Sequence, residues 1–172
     1  GVDRNADMLA LSREAIPVVA SAVGFDNVCF VDGAIEALDA PSATGEPLIA
    51  DGSIDVVLSN CVLNLVNPSA RDRLLANIRR VLAPGGRVAI SDIVCDRVVP
   101  QRLQQDPDLW SGCISGAWQE QAFLEAFEAY GFKQVRYADR SEKPWREVEG
   151  IAFRAVTLVG ALPTEEKVSS CC

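Results

Sequence analysis

The chain has 172 residues, of which 49% are apolar, and its formal net charge is −8 at pH 7. A domain of this length buries enough apolar surface to fold, which disfavours intrinsic disorder. A negative protein repels phosphate backbones and anionic lipid, so we expect no nucleic-acid and no membrane partner. With no apolar run long enough to span a bilayer and no secretion signal, the sequence indicates a cytoplasmic protein.

The sequence contains six cysteines and no histidine. Catalytic triads and zinc hydrolase sites that need histidine are therefore excluded within this chain. The cysteines are widely spaced except for a terminal pair, and none forms a CxxC motif, so we expect reduced thiols. They are Cys29, Cys61, Cys95, Cys113, Cys171 and Cys172.

The N-terminal residues predict a strand, a helix, a strand and a turn in that order. Residues 1–3 are typical of the end of a buried strand, and a helical pattern follows Asn5 as N-cap until Gly24. A short strand is predicted over residues 27–31, with a helical turn over 34–38.

The middle of the chain predicts a second strand–helix–strand unit. The β-branched run at residues 54–59 is expected for a strand covered on both faces of a parallel sheet. Asn67 and Pro68 open a helix that Pro84 breaks, and residues 87–94 predict the next buried strand.

The last third predicts a loop over residues 109–116 and a helix over 119–130, with Gly131 directly after its end. Strands over residues 133–138 and 151–158 complete the pattern. Alternating strands and helices predict an α/β fold with an open, doubly wound, mostly parallel sheet and helices on both faces.

The domain organisation follows from the same pattern. We find no internal repeat and no second domain, so we assign residues 1–162 to one domain. Residues 163–172 are assigned to a mobile, cysteine-containing tail. In folds of this class, ligands bind beyond the carboxyl ends of the strands.

Several polar residues follow predicted strands at this edge. Asp3 is placed where an acid accepts hydrogen bonds from both hydroxyls of a ribose, although a turn or N-cap role explains it equally well. Ile35 can flank an adenine, and the carboxylate of Glu36 can accept from its amino group. Asn60 ends the strand over 54–59, either to bind a cofactor or only to terminate the strand.

Residues 81–92, with the sequence VLAPGGRVAISD, resemble the segment that precedes and forms the fifth strand of seven-stranded S-adenosylmethionine-dependent methyltransferases. The resemblance covers nearly the whole chain. It implies a Rossmann-like methyltransferase fold with a C-terminal antiparallel strand pair, and S-adenosylmethionine as cofactor. It also implies a cofactor site at Asp3, Ile35, Glu36 and Asn60.

Two further segments, SNCVLNL at residues 59–65 and WSGCISGA at 110–117, resemble the arsenite methyltransferases. Cysteines at the matching positions bind trivalent arsenic in that family, which implies that Cys61 and Cys113 are As(III) ligands and carry the catalysis. Thiolates are soft ligands that suit a thiophilic centre. Arsenic(III) held by sulfur keeps a lone pair that can attack a sulfonium methyl, so positioning replaces general-base catalysis.

Each cysteine also has a structural interpretation, because free cysteine is among the most buried residue types. We favour a core position for Cys29 and a structural role for Cys95, with a spare reactive thiol as the alternative for Cys95. Cys171 and Cys172 are interpreted as a mobile thiol pair that delivers or captures arsenic.

The resemblance also implies that some family elements lie upstream of Asp3: the first strand, its Gly-rich loop and a further arsenic-binding cysteine. The absent strand would lie between the strands at residues 1–3 and 54–59, so two strand edges should be exposed. We expect these residues to belong to a longer enzyme and the isolated chain to be unstable or inactive.

The leading hypothesis is an arsenite methyltransferase that uses S-adenosylmethionine and a thiol reductant such as glutathione or thioredoxin. One alternative is a methyltransferase of a small organic acceptor, with Cys61 and Cys113 in the core. The other is a thiol module that sequesters arsenic or heavy metals without transfer chemistry. Cysteine replacement tests the first alternative, and cofactor titration tests the second.

Overall fold

The computed structural model describes residues 1–164 and divides the chain into two compact units, residues 1–50 and the part from residue 51 onward. The single domain over residues 1–162 stays a prediction. Most of the predicted tail lies outside the described residues, including Cys171 and Cys172.

The first unit contains two short parallel strands and one long helix. Strand β1 (Val2–Asp3) pairs with β2 (Val31–Asp32), and helix α1 (Ala6–Val23) lies between them in the chain. The Asn5 side chain accepts hydrogen bonds from the first turn of α1, and Gly24 ends the helix with a φ of +85°. The predicted helix and both of its caps are confirmed.

The predicted strand over residues 27–31 is wrong in its extent. Only Val31 and Asp32 form a ladder, because β1 offers only two residues as partners. Cys29 therefore lies outside the strand and is exposed, so its predicted core position is also wrong. The predicted turn is confirmed as a 3₁₀ turn over Ile35–Ala37.

The second unit is a mixed six-stranded sheet with helices. Its strands are β3 (Ile54–Asn60), β4 (Leu82–Cys95), β5 (Trp118–Gln119), β6 (Lys133–Arg140), β7 (Arg146–Val148) and β8 (Ile151–Ala161). Its helices are α2 (Arg71–Val81), α3 (Gln101–Gln104), α4 (Pro107–Ser111) and α5 (Glu120–Ala129), with 3₁₀ turns at Leu63–Leu65 and Pro68–Ala70.

The strand order is β3-β4-β8-β6, with β5 beside β4 and β7 beside β8. Strand β4 runs parallel to β3 and β5, whereas β8 runs antiparallel to β4, β6 and β7. The α/β class and the C-terminal antiparallel pair, β6 with β8, are confirmed. The antiparallel neighbours of β8 make the sheet mixed.

Strand β4 begins earlier than the sequence predicts. Helix α2 ends at Val81 instead of reaching Pro84, and the Pro-Gly-Gly segment is part of the strand. The N–H of Leu162 donates to the carbonyl of Gly86, and the N–H of Gly85 donates to that of Pro163. These contacts with the end of β8 and the residues that follow it override the local turn signals.

Strand β3 is not covered on both faces, contrary to the prediction. The exposed fraction of Leu58 is 75%, and no residue of β3 is fully buried. Within residues 1–164, β3 and β1 each stand at the end of their sheet. The two expected exposed strand edges are therefore present.

The predicted loop over residues 109–116 is wrong at its start, because α4 continues to Ser111. The Asp106 side chain accepts hydrogen bonds from the N–H groups of Asp108 and Leu109, which caps this short helix. The cap and the proline that follows it are a readable helix start in the sequence.

The core of the second unit contains a row of three buried phenylalanines. Phe127 stacks edge-on between Phe123 and Phe132, with ring centroids 5.5 and 5.4 Å apart. All three rings are essentially inaccessible to solvent. Within residues 1–164, no helix is long and apolar enough to cross a membrane.

We expect Phe127→Ala to lower the free energy of unfolding of this unit by about 3–5 kcal/mol, because it leaves a cavity between two rings. The control is Val98→Ala, whose side chain is 73% exposed and whose effect should stay within about 0.5 kcal/mol. The measurement is urea unfolding monitored by tryptophan fluorescence, since all three tryptophans lie in this unit. Equal effects of the two substitutions would contradict the assigned core.

Candidate functional site

Cys61 lies directly after β3, at the carboxyl end of the strand. Its backbone N–H donates to the carbonyl of Ser91 on β4 at 2.9 Å, which continues the ladder by one residue. Its φ is +54°, in the left-handed region that residues other than glycine rarely adopt.

Cys113 lies two residues after α4, in a tight turn. Its N–H donates to the carbonyl of Trp110 at 3.0 Å, and its φ is +59°. The next residue, Ile114, is completely buried in the core cluster that Cys113 partly covers. Burial of Ile114 therefore anchors the turn that presents Cys113.

The two cysteines converge, although 52 positions separate them in the chain. Their Sγ atoms and a carboxylate oxygen of Asp92 all lie within 4.8 Å of one another. The Cys113 Sγ is 3.6 Å from the Cys61 carbonyl oxygen. Cys61 is exposed and Cys113 is half-buried, so solvent reaches the cluster. The predicted juxtaposition is confirmed, and the ligand roles stay predictions.

Asn64 connects the two cysteine segments. Its side-chain amide donates to the carbonyl of Ile93 at 2.7 Å and to that of Cys113 at 3.1 Å. Its backbone N–H donates to Asp92 Oδ2 at 3.2 Å. The residue is 1% exposed, and its Oδ1 has no hydrogen-bond partner among the described residues. The side-chain amide of Asn64 therefore keeps both of its donated hydrogen bonds, whereas its acceptor Oδ1 stays unsatisfied within the described residues.

Gly116 allows the two segments to approach closely. A Cβ atom there would lie 1.8 Å from the carbonyl oxygen of Asn64, a distance that no side chain tolerates. The Gly116 carbonyl accepts from Arg71 Nη2 at 2.6 Å, and the Arg71 guanidinium lies over the ring of Trp118. The absence of a side chain at Gly116 is therefore a steric requirement of the site.

Asp92 is the buried member of the cluster, with an exposed fraction of 3%. Burial raises the pKa of its carboxyl, and hydrogen bonds from backbone N–H groups oppose that shift. One donor is Ile93, whose N–H lies 2.8 Å from Oδ1. Arg71 adds an opposing positive charge.

Both thiols are held in the protonated form. Burial, with the Asp92 carboxylate as the second cause, raises the pKa of Cys113 to about 11 and raises that of Cys61. A thiophilic ligand must therefore displace protons from both sulfurs at neutral pH.

Cys95 is part of the core, as the sequence predicts. It is 1% exposed, and its Sγ lies 3.1 Å from the carbonyl of Trp118. Burial raises its pKa to about 12, so the thiol is unreactive.

The predicted cofactor residues fall in both units. Asp3 ends β1 and is exposed, and its Oδ1 accepts from the N–H of Asn5 at 2.9 Å. This is the turn role that the sequence left open, and it does not exclude ribose binding. Ile35 and Glu36 lie half-buried in the turn after β2, while exposed Asn60 is the last residue of β3 in the second unit.

Asp92 and Asn64 are absent from the predicted site residues. Both lie inside the segments that carry the family resemblance, residues 81–92 and 59–65. Their position beside a predicted strand end was a readable signal, whereas their contacts depend on the tertiary structure.

Known proteins are similar to this chain in sequence and in fold. The family model described as "Methyltransferase domain" matches residues 1–131. The chain belongs to the methyltransferase-domain family. This methyltransferase domain is 38% identical over 139 residues to an arsenite methyltransferase of Aquipseudomonas alcaligenes. It is 36% identical over 142 residues to one of Halobacterium salinarum.

These matches cover 81% and 83% of the chain, but the chain spans only 38% and 32% of the two relatives. A crystal structure of an arsenic(III) S-adenosylmethionine methyltransferase from Chlamydomonas reinhardtii superposes with a TM-score of 0.79 at 29% identity. That match covers 96% of this methyltransferase domain and 55% of the solved chain.

We expect Gly116→Ala to lower the free energy of unfolding by about 1–3 kcal/mol, because the new methyl group collides with the Asn64 carbonyl. The matched control is Gly112→Ala in the same turn, where the nearest heavy atom would be 3.7 Å away. Urea unfolding of both variants measures the difference. If Gly116→Ala is as stable as Gly112→Ala, the close packing of the two segments is contradicted.

We also expect the more stable of the glycine and alanine variants to differ between two cysteine positions. At Cys113 the positive φ makes Cys113→Gly more stable than Cys113→Ala by about 1 kcal/mol. At Cys95, in extended backbone, the glycine variant should be less stable by about 0.5–1 kcal/mol. Thermal and urea unfolding compare the four proteins, and the same order at both positions would exclude strain at Cys113.

Proposed function

We propose that this protein transfers methyl groups from S-adenosylmethionine to trivalent arsenic held by Cys61 and Cys113. The observation that carries the proposal is the convergence of two thiols, from separate segments, at the carboxyl end of β3. Membership of a methyltransferase family and the relatives named arsenite methyltransferase support the choice of donor and acceptor.

Two neighbouring thiols suit trivalent arsenic because it is a soft, thiophilic centre, so exchange of its hydroxides for thiols is favourable in water. Each thiol proton leaves with one hydroxide of arsenous acid as water, while an arsenic–sulfur bond replaces the arsenic–oxygen bond. The protonated state of Cys61 and Cys113 therefore needs no separate base. A sulfur-bound As(III) keeps the lone pair that is the nucleophile for methyl transfer.

Positioning is the contribution of the chain's own residues. The side-chain amide of Asn64 donates a hydrogen bond to the Cys113 carbonyl. The backbone N–H of Asn64 donates another to the Asp92 carboxylate. These bonds hold the two cysteine segments together, and the two Sγ atoms lie within 4.8 Å of each other. Because the nucleophile forms when arsenic binds, the rate gain comes from orientation.

S-adenosylmethionine, when bound, supplies an electrophilic methyl group on its sulfonium. The exposed carboxylate of Asp3 at the end of a parallel strand fits the hydroxyls of its ribose. We assign Ile35 and Glu36 to the adenine, and Asn60 as a further cofactor-binding residue. A thiol reductant such as glutathione or thioredoxin, and a cytoplasmic location, complete the proposal.

The test is arsenite binding by the 172-residue chain, measured by equilibrium dialysis with arsenic mass spectrometry. A background with Cys171→Ser and Cys172→Ser removes the terminal thiols. Cys61→Ser and Cys113→Ser should each weaken binding at least tenfold, because each removes one arsenic–sulfur bond. Cys29→Ser is the control, since its thiol is exposed but remote in sequence from both segments.

Methyl transfer from S-adenosylmethionine to arsenite is measured separately. Formation of methylated arsenic should fall at least a hundredfold in Cys61→Ser and in Cys113→Ser. Unchanged methylation in either variant would favour an organic acceptor, and arsenite binding without any affinity for S-adenosylmethionine would favour a sequestering module.

A further inference from the structure

The cluster at the candidate site contains an oxygen ligand that arsenic does not need. Within residues 1–164, the group whose ligand atoms approach within 4.8 Å is Cys61, Asp92 and Cys113. Arsenic(III) prefers sulfur, whereas two thiolates and a carboxylate suit a borderline divalent cation. The donor set therefore points to a second class of ligand.

We propose that Cys61, Cys113 and Asp92 form a binding site for a divalent cation of the zinc class, with a fourth position open to solvent. This inference goes beyond the proposed methyl transfer and does not depend on it. The cation competes with arsenic because both need the same two sulfurs.

The geometry needs only a small closure to accept such an ion. Tetrahedral zinc with sulfur at about 2.3 Å and oxygen at about 2.1 Å places its ligand atoms about 3.6–3.8 Å apart. The three ligand atoms lie within 4.8 Å of one another in the free protein. Side-chain rotation at exposed Cys61 and half-buried Cys113 supplies the remaining distance.

Asp92 is prepared to act as the third ligand. Its carboxylate is buried and accepts backbone hydrogen bonds from Ile93, Asn64 and Leu63. These three bonds orient the carboxylate, and of its roughly four lone-pair positions one remains for a metal. Both thiol protons pass to the solvent on binding, so the two positive charges of the ion balance the two thiolates.

The experiment uses Co²⁺ as a spectroscopic probe and Zn²⁺ as its competitor, with the 172-residue chain carrying Cys171→Ser and Cys172→Ser. We expect one equivalent of Co²⁺ to produce sulfur-to-cobalt charge transfer and tetrahedral ligand-field bands, and Zn²⁺ to abolish both. Cys61→Ser and Cys113→Ser should each weaken binding at least tenfold, and Cys95→Ser should not. Absence of charge transfer at one equivalent would overturn the proposal.

Asp92→Asn isolates the oxygen ligand, because it keeps the size and one acceptor oxygen of the side chain. It should weaken Co²⁺ binding at least tenfold and by a larger factor than it weakens arsenite binding to the same thiols. Equal factors for the two ligands would mean that Asp92 only supports the fold, and would overturn its role as a ligand.

A measurement on the unsubstituted Asp92 covers the case in which Asp92→Asn fails to fold. X-ray absorption at the zinc edge should show two sulfur scatterers with oxygen completing the shell, and a sulfur-only shell would overturn the proposal. Cobalt binding without arsenite binding would contradict the proposed function alone. Arsenite binding without cobalt binding would contradict this inference alone.

Discussion

The buried side chain of Asn64 is the constraint on which the candidate site depends. Through two amide bonds and one backbone bond it joins the segment after β3, strand β4 and the turn that contains Cys113. Gly116 lets the backbone of Asn64 approach the turn more closely than any residue with a side chain would allow. The proximity of two thiols from distant segments is the result.

The site is retained at a cost in stability. Two cysteines adopt left-handed backbone conformations, each about 1 kcal/mol less favourable than an extended conformation. The buried amide oxygen of Asn64 has no hydrogen-bond partner in residues 1–164. Burial also keeps the thiols protonated, and a carboxyl group lies beneath them. Departures from local rules that coincide at one cluster are typical of functional sites.

The sequence predicts the parts of this structure that depend on local signals. Helix α1 between Asn5 and Gly24 is an example, because capping residues fix its ends. The predicted start of β4 was wrong, because its pairing with β8 overrides the Pro-Gly-Gly turn signal. Cys61 and Cys113 were predicted from resemblance, whereas the contribution of Asn64 exists only in the tertiary structure.

The Sγ atoms of Cys61 and Cys113 lie within 4.8 Å of each other, and arsenic itself is the most direct probe of whether one atom bridges them. The measurement is a crystal structure of the chain grown with arsenite, with anomalous scattering used to locate arsenic. We expect one strong peak within bonding distance of the Sγ atoms of both Cys61 and Cys113. A peak at only one of these sulfurs, or at Cys29 instead, would contradict it.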